Sequence, residues 1–528
     1  MAAARLVPAL VNTASGVSAL HGKTVVDIAA SYNFSMALCS DGTVVTWGAN
    51  GYGYLGINNT TLVQSNVPVA VNTVSGTSAL YGKTVVAIAA GRYFSMALCS
   101  DGTVATWGSN NNGELADATT ANRKVPVAVN TASGVSDLHG KTVTAIAAGA
   151  HHSVALCSDG TVVAWGYNYY GQLGNNTSFS YYVPVAVNTA SGVSALYGKT
   201  VVALAAGFYH TLALCSDGSM ASWGYNTYGE LGDTTRTSRK VPVAVNAENG
   251  VSALYGKTAV AIAAGVYHDL ALCADGTLLA WGSNSYGQLG DTTTTDRAVP
   301  VAVNTANGVS ALYGRAVAGL ACGMYHNAVW CVDGAISTWG YNTTEQLGNN
   351  STTNSSVPVL VDGSSLAAGE SFQSVAGGSY AFHTLALVAE PAMAVTTLAA
   401  SAVGGTYATV NGTVNANNGI IVAVFFEYGT TAAYGSTVAA TPPYAVGGSD
   451  SAERGFLTGL TPNTTYHFRA RASVYSGADQ TFTTLNNDAS LASLATTAGS
   501  LSPAFASGTT SYSTAVTSET SSVTITPS

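Results

Sequence analysis

A Trp-Gly dipeptide recurs along this chain at a fixed interval, and no other feature limits the possible folds as sharply. The tryptophans are Trp47, Trp107, Trp165, Trp223, Trp281 and Trp339; the first step is 60 residues and the following four are 58. Six cysteines keep the same beat, Cys39, Cys99, Cys157, Cys215, Cys273 and Cys331, each eight residues ahead of its Trp. Between Cys and Trp stands Asp-Gly, with Asp41, Asp101, Asp159, Asp217, Asp275 and Asp333, a dipeptide suited to the positive φ of a tight hairpin turn. A repeat of this kind is one supersecondary unit that cannot bury its apolar face alone and must pack against copies of itself.

Two further strands complete the unit. Residues 85–91 and their copies are short β-branched runs closed by Gly, and residues 67–71 read Val-Pro-Val-Ala-Val, with Pro where an edge strand accepts it. Four short strands per unit predict a propeller blade. The excess length maps to a recurrent insert, residues 188–200, expected to run over one face. The Val-Pro strand or its equivalent occurs seven times, at Pro8, Pro68, Pro126, Pro184, Pro242, Pro300 and Pro358, and the strand ending in small residues also occurs seven times, the last at 374–378. Trp-Gly occurs six times. The expectation is therefore an all-β chain with a seven-bladed β-propeller over 1–390, its seventh blade lacking the Trp-Gly strand, and with residues 6–20 as a strand and insert rather than a leader.

Residues 149–174 read Gly-x-x-His-x-x-Ala-Leu-Cys-x-Asp-Gly-Thr-Val-x-x-Trp-Gly-x-Asn-x-x-Gly-Gln-Leu-Gly. This resembles the regulator of chromosome condensation repeat, and the resemblance covers roughly 6–388. It implies a seven-bladed propeller. Its founder is a nucleotide-exchange factor for a small GTPase that also contacts chromatin, and a secreted bacterial β-lactamase inhibitor is among the relatives. The basic arm and patches that chromatin contact needs are missing here.

Beyond 388 the period ends. Residues 408–414, 421–428 and 466–472 alternate like sandwich strands, and Gly459-Leu-Thr-Pro-Asn-Thr-Thr-Tyr466 resembles the tyrosine corner of fibronectin type III modules. Residues 391–485 are therefore expected to form such a β-sandwich. Residues 486–528 resemble the opening of a cadherin-like bacterial β-sandwich, too short to enclose a core, which predicts a fragment of a longer protein.

Charge narrows the function. Only 17 residues are Lys or Arg against 26 Asp or Glu, a net charge of -9, so no polycationic face is available for nucleic acid or anionic lipid. The apolar runs are far shorter than the roughly 18 residues of a membrane span.

The repeated reactive residues read as structure. The cysteines occupy equivalent places in separate blades, too far apart for bridging, and Cys322 and Cys331 share a blade without facing one another. His152, His210, His268, His326 and His383 occupy one position that Phe34 and Phe94 fill in the first two units, an exchange a metal ligand would not tolerate. The Asp of each Asp-Gly belongs to its turn. Glu114 and Glu230 share a slot with Gln172, Gln288 and Gln346, so no carboxylate is kept there. No catalytic residue, metal or cofactor is expected, and the chain reads as a non-enzyme.

Variation concentrates in the loop after Trp-Gly, where Tyr52, Asn112, Tyr167, Tyr170, Tyr225, Tyr228, Tyr286 and Tyr341 surround a recurrent Asn. Tyr with Asn, Ser and Gly is the chemistry of adaptable binding loops, and packing on the next blade is the competing reading. The function expected is a non-catalytic scaffold binding a protein or glycan, monomeric, bacterial, and secreted or at the cell surface. An exchange-factor-like or hydrolase-inhibitor-like propeller is the alternative, and a carbohydrate-active enzyme ranks below both.

Overall fold

A computed structural model describes residues 5–59, 61–366, 370–389, 394–415, 421–446, 450–472 and 475–486, with short pieces at 494–496, 500–502, 513 and 524–527. The chain divides into two compact units, Met1–Ala389 and Glu390–Ser528.

The first unit contains six antiparallel four-stranded sheets, spanning 25–70, 85–128, 143–186, 201–244, 259–302 and 317–360. In the fourth, Val201–Ala206 lies innermost, followed outward by His210–Cys215, Met220–Gly224 and Arg239–Ala244. The second strand is wholly buried along its length in five of the six blades, and the third in five. These runs carry apolar residues at successive positions because both faces of the sheet are covered by neighbouring blades. The Pro of each fourth strand sits on the outer edge, where a missing N–H costs no ladder bond. Its carbonyl still works: Pro242 O accepts the N–H of Ala195 from the insert at 3.0 Å, and the same bond recurs at Pro68, Pro126, Pro184, Pro300 and Pro358.

The indoles join blade to blade. Trp107, Trp165, Trp223, Trp281 and Trp339 are fully buried, and each Nε1 donates at 2.8–3.0 Å to a carbonyl of the preceding blade, those of Tyr54, Glu114, Gln172, Glu230 and Gln288.

The expectation of seven blades is corrected to six. The remaining segment forms only a two-stranded hairpin, Ser371–Ala376 with Leu385–Ala389, which packs between the sixth blade and the first. The reason is covalent order: after Ala389 the chain runs into Glu390-Pro391, and among the described residues no third strand pairs with Leu385–Ala389. Residues 6–12 are likewise not a strand, contrary to expectation, although Leu6 O accepts the N–H of Asn350 at 2.9 Å. Trp330 ties the hairpin to blade six by donating to Phe372 O at 2.7 Å.

The second unit is a continuous, strongly curled sheet. Its order is Ala394–Ser401, Tyr407–Asn415, Ser451–Thr458, Ser436–Val446, Ile421–Gly429, Thr465–Ala472 and Tyr475–Ser476, with Gln480–Thr483 also on Thr465–Ala472. A two-sheet sandwich was expected; instead a single bridge, Thr441 to Arg454, joins the halves into one sheet. The tyrosine corner is present as geometry, Tyr466 Oη accepting the Thr461 N–H at 3.0 Å, but a fibronectin type III assignment does not follow from it. Most of 486–528, where the cadherin-like resemblance falls, lies outside the described residues. Among the described residues no helix is long and apolar enough to cross a membrane.

Candidate functional site: an aromatic face of the propeller

Antiparallel order places the turns between first and second strands, and the loops between third and fourth, on the same face of the ring. The loops after Trp-Gly are built on the recurrent Asn. Asn168 Oδ1 accepts the Leu173 N–H at 2.9 Å while its Nδ2 donates to Asn175 and Thr177, and Asn50, Asn110, Asn226, Asn284 and Asn342 bond the equivalent Leu N–H in the same way. All six are buried, and their side chains hold the loop backbone. The loop is held from beneath, and its tyrosines stand on a rigid base.

Those tyrosines pack sideways into the next blade. The Tyr170 ring lies 5.0 Å from Tyr209 and 4.8 Å from Tyr225, and Tyr225 and Tyr228 lie 5.6 and 5.3 Å from Tyr267. Tyr167 contacts Tyr209 at 5.4 Å, Tyr52 contacts Tyr93 at 5.4 Å, and Tyr286 meets Tyr325 and Tyr341 at 5.2 and 4.8 Å. Tyr52 and Tyr286 remain 41% and 37% exposed, and Tyr169 between them in the series is 65% exposed. Packing on the neighbour and exposure therefore coexist. Burial, reinforced by neighbouring phenols, pushes the Tyr209 and Tyr325 hydroxyls up to about 12, so these two stay neutral through the physiological range.

The middle of this face is filled. Ala150, Phe208, Val266 and Met324 form a buried cluster with Tyr380 and Phe382, and Phe208 stacks on Tyr380 at 5.0 Å. Arg92 lies in this assembly, its Cζ 4.4 Å from the Tyr380 ring, 4.8 Å from Tyr93 and 5.4 Å from Tyr32. The guanidinium lies against three rings, and its Nε is buried without a hydrogen-bond partner. Asn112 stands apart from the rings: its N–H and Nδ2 both bind the Glu114 carboxylate, at 2.8 and 2.9 Å.

The sequence reading missed half of this array. Tyr93, His151, Tyr209, Tyr267, Tyr325 and Phe382 all directly precede the Phe or His of their unit, an aromatic column on the same period as Trp-Gly. The signal was present, one residue away from the histidines.

The histidines are structural latches between blades. His152 Nε2 lies 3.0 Å from Thr211 Oγ1, whose own proton goes to Gln172 O at 3.0 Å, so the imidazole donates. His268 to Asn327, with Asn327 to Gln288 O, and His326 to Thr384, with Thr384 to Gln346 O, repeat the relay. Burial holds His152 and His326 down at about 3 and His268 and His383 at about 4, so these four are neutral. His210 differs because its acceptor is the Asp269 carboxylate at 3.1 Å. Burial acts against charge on both groups: it raises Asp269 above the ordinary carboxylate range although His210 pulls it down, while Asp269 outweighs burial at His210 and raises the imidazole. The adjoining Glu230 carboxyl is pushed by burial up to about 7.

The opposite face carries the Asp-Gly turns and the inserts. Asp159 Oδ1 accepts the Thr161 N–H at 3.0 Å, as the turn reading requires, and Oδ2 meets Lys141 of the insert at 2.5 Å. The pair recurs at Lys23–Asp41, Lys83–Asp101, Lys199–Asp217, Lys257–Asp275 and Arg315–Asp333, always 18 residues apart, and the Lys N–H bond first of all holds Asp41, Asp159 and Asp275 down at about 2. That fixed interval was readable in the sequence and went unread. Tyr197, Tyr255 and Tyr313 of the inserts are 60%, 54% and 56% exposed. The seven cysteines are buried thiols without disulfides.

Comparison with known proteins agrees with this architecture. The RCC1-like domain pattern matches residues 4–385. The ultraviolet-B receptor UVR8 of Arabidopsis thaliana is 28% identical over 347 residues, 66% of this chain and 72% of the receptor. The probable human E3 ubiquitin-protein ligase HERC6 is 32% identical over 285 residues, 53% of this chain; the match spans only 26% of that ligase. Among solved structures, human WBSCR16 superposes with a TM-score of 0.58 at 22% identity, covering 70% of this chain and 88% of that one. Prp20p of Saccharomyces cerevisiae, described with its binding to Gsp1p and histones, gives 0.55 at 24% identity, covering 67% and 80%. At these identities the two structures support the fold alone.

Proposed function

Because the chain belongs to the family of RCC1-like domains, we propose that its propeller is a protein-binding module whose partner docks on the tyrosine-lined face. The observation that carries this reading is the continuous aromatic surface running from Tyr52 and Tyr93 through Arg92 and Tyr380 to Phe208, Tyr209, Tyr225 and Tyr267. Tyrosines with two torsions each, seated on Asn-braced loops, offer large contact area at small entropic cost, and Arg92 offers a directional donor set in their midst. The low charge of the chain makes such recognition weakly salt-dependent. The receptor UVR8 and the probable ligase HERC6 match this chain over its repeats.

The test compares exposed tyrosines on the two faces. A variant with Tyr52, Tyr169 and Tyr286 changed to Ala is set against one with Tyr197, Tyr255 and Tyr313 changed to Ala, with binding measured to purified candidate proteins, among them a nucleotide-loaded small GTPase, and to a glycan array. Loss of protein binding in the first variant alone supports the reading. Loss only in the second, or glycan binding without protein binding, overturns it. Accelerated nucleotide release from the GTPase would instead favour an exchange factor.

A further inference from the structure

One position in the middle of the aromatic face breaks the repeat. Two residues ahead of the buried Phe or His that opens each second strand, the six blades carry Tyr32, Arg92, Ala150, Phe208, Val266 and Met324, and only Arg92 is charged. Main-chain bonds link this place from blade to blade: the Arg92 N–H donates to Ala150 O at 3.3 Å, Phe208 to Val266 O at 3.2 Å and Val266 to Met324 O at 3.3 Å. Four of the six side chains form the buried cluster against which Tyr380 and Phe382 pack. Arg92 is thus a single cation set where packing alone calls for an apolar residue.

Its guanidinium has no counter-charge. Arg123, Arg239 and Arg297, at loops of the same face, each pair with the Asp six residues earlier at 2.6–3.0 Å. Among the described residues nothing accepts a hydrogen bond from the Arg92 side chain, whose contacts are the rings of Tyr32, Tyr93 and Tyr380. The side chain is half-buried, and of its guanidinium nitrogens only Nε is buried, so the two Nη atoms form the accessible edge. Rings attract the cation through its faces but leave the N–H groups in its plane unmet. An unmet charged donor in such surroundings is unfavourable, and a docking acceptor removes that penalty.

We propose that Arg92 receives a carboxylate, the side chain of a Glu or Asp at the centre of the partner's docking surface, end-on across its two Nη atoms. Two parallel charge-assisted bonds join strength to fixed geometry, and the tyrosines around them exclude the water that weakens such a pair. The cluster supplies one positive charge, which a carboxylate matches; His151, next to Ala150, faces the buried Glu114 at 3.5 Å, and a phosphate would bring roughly two negative charges. The inference rests on the reading of this face as the docking surface and names the chemistry at its centre.

The experiment uses the full chain with isotopically labelled arginine and follows the Nε–Hε resonance of Arg92, identified by its loss in Arg92→Lys. The probes are a blocked, fluorescently labelled pentapeptide, Gly-Tyr-Glu-Tyr-Gly, the same peptide with Gln at its centre, and inorganic phosphate as a competitor; anisotropy gives the affinities. The Glu peptide should shift the Arg92 resonance and bind about tenfold or more tightly than the Gln peptide, the scale of a charge-assisted bidentate contact. Arg92→Lys, which keeps the charge but not the planar fork, should reduce that preference to about threefold or less. Because the substitution could also disturb the cluster, the Gln peptide, which leaves the protein unaltered, is the deciding control. Equal affinity for the two peptides, no binding at millimolar peptide, binding that leaves the Arg92 resonance unmoved, an undiminished preference in Arg92→Lys, or tighter binding of phosphate than of the Glu peptide would each overturn the proposal. The tyrosine variants report on the face and this titration on Arg92. A Glu preference with partner binding untouched by those variants refutes the docking face and keeps the Arg92 site; partner binding lost in the first variant with no Glu preference does the reverse.

Discussion

His383 Nε2 lies 2.8 Å from Ser35 Oγ, and this contact between residues 348 positions apart is the latch at the joint where the ring closes. It is the same latch that His152 makes with Thr211 and His326 with Thr384, but here it connects the end of the propeller to its beginning. Every other blade junction also has a covalent connection through its insert. At the closing joint this bond is joined by packing and by the Ala30 N–H donating to Gly377 O at 3.4 Å, while Leu6 O accepts from Asn350 of the sixth blade.

Ser35→Ala should therefore weaken the ring at one place. Removing the hydroxyl leaves His383 Nε2 without its partner, at a cost of about 1–3 kcal/mol. Native-state hydrogen exchange should show faster opening of residues 371–389 than of blades three to five. Uniform acceleration across all blades would contradict a local latch.

Asp269→Asn is expected to stabilise the protein. The slot next along the ring holds Asn327, whose Oδ1 accepts from His268 and whose Nδ2 donates to Gln288 O. An ionised Asp269 can do only the first, and its Oδ2 has no partner. The raised Asp269 value means its contribution is fullest at acid pH and lost as pH rises. The variant should gain most at pH 8, and urea midpoints at pH 5 and 8 measure it; a loss at pH 8 would show that the charged pair is itself needed.

Glu230→Gln carries a sharper pH signature. The Glu230 carboxyl rises from 4.5 to about 7 on folding, so its contribution is complete below pH 4.5 and disappears as pH climbs through 7. That difference corresponds to up to about 3 kcal/mol. Gln already fills the slot at Gln172, Gln288 and Gln346. The variant should match the parent at pH 4.5 and exceed it at pH 8 in thermal midpoint. Equal differences at the two values would refute the assignment. Because Asp269 bears on Glu230, the two substitutions should not add.

Gly207→Ala should be severely destabilising although its φ is ordinary. A Cβ there would lie 2.1 Å from His210 Cε1 and 2.7 Å from Gly265 O, so the ring and the next blade's backbone would both have to move. Gly16→Ala is the contrast: nothing lies within 4 Å of its Cβ, and only its φ of +69° resists. Circular dichroism melts rank the two, and the larger loss should be at Gly207.

Much of the architecture was legible in the residues alone because a repeat reports itself. Trp-Gly, Asp-Gly and Val-Pro recur at intervals that only strand, turn and edge strand explain, the histidines could be read as structural from their exchange with Phe34 and Phe94, and the cysteines from their places in separate blades. The blade number was not legible. Seven copies of Val-Pro and of the small-residue strand were counted as blades, yet Pro8 lies in no strand, and a four-stranded sheet needs a third strand that the run from His383 to Val388 does not precede. The single curled sheet of the second unit likewise escaped, since alternation along a strand says which face is buried and not which strands are neighbours.

The binding surface divides in the same way. Local sequence determined that Tyr52, Tyr170, Tyr225, Tyr228 and Tyr286 sit in Asn-braced loops, because the brace involves residues five apart. Only the tertiary structure decided that they adjoin Tyr93, Tyr209, Tyr267 and Tyr325 from other blades, that Arg92 lies among them and that Phe208 meets Tyr380 across the ring. Periodicity specifies each unit, and with it the repeat that lacks its Trp-Gly strand, whereas contacts between units depend on how many copies close the circle.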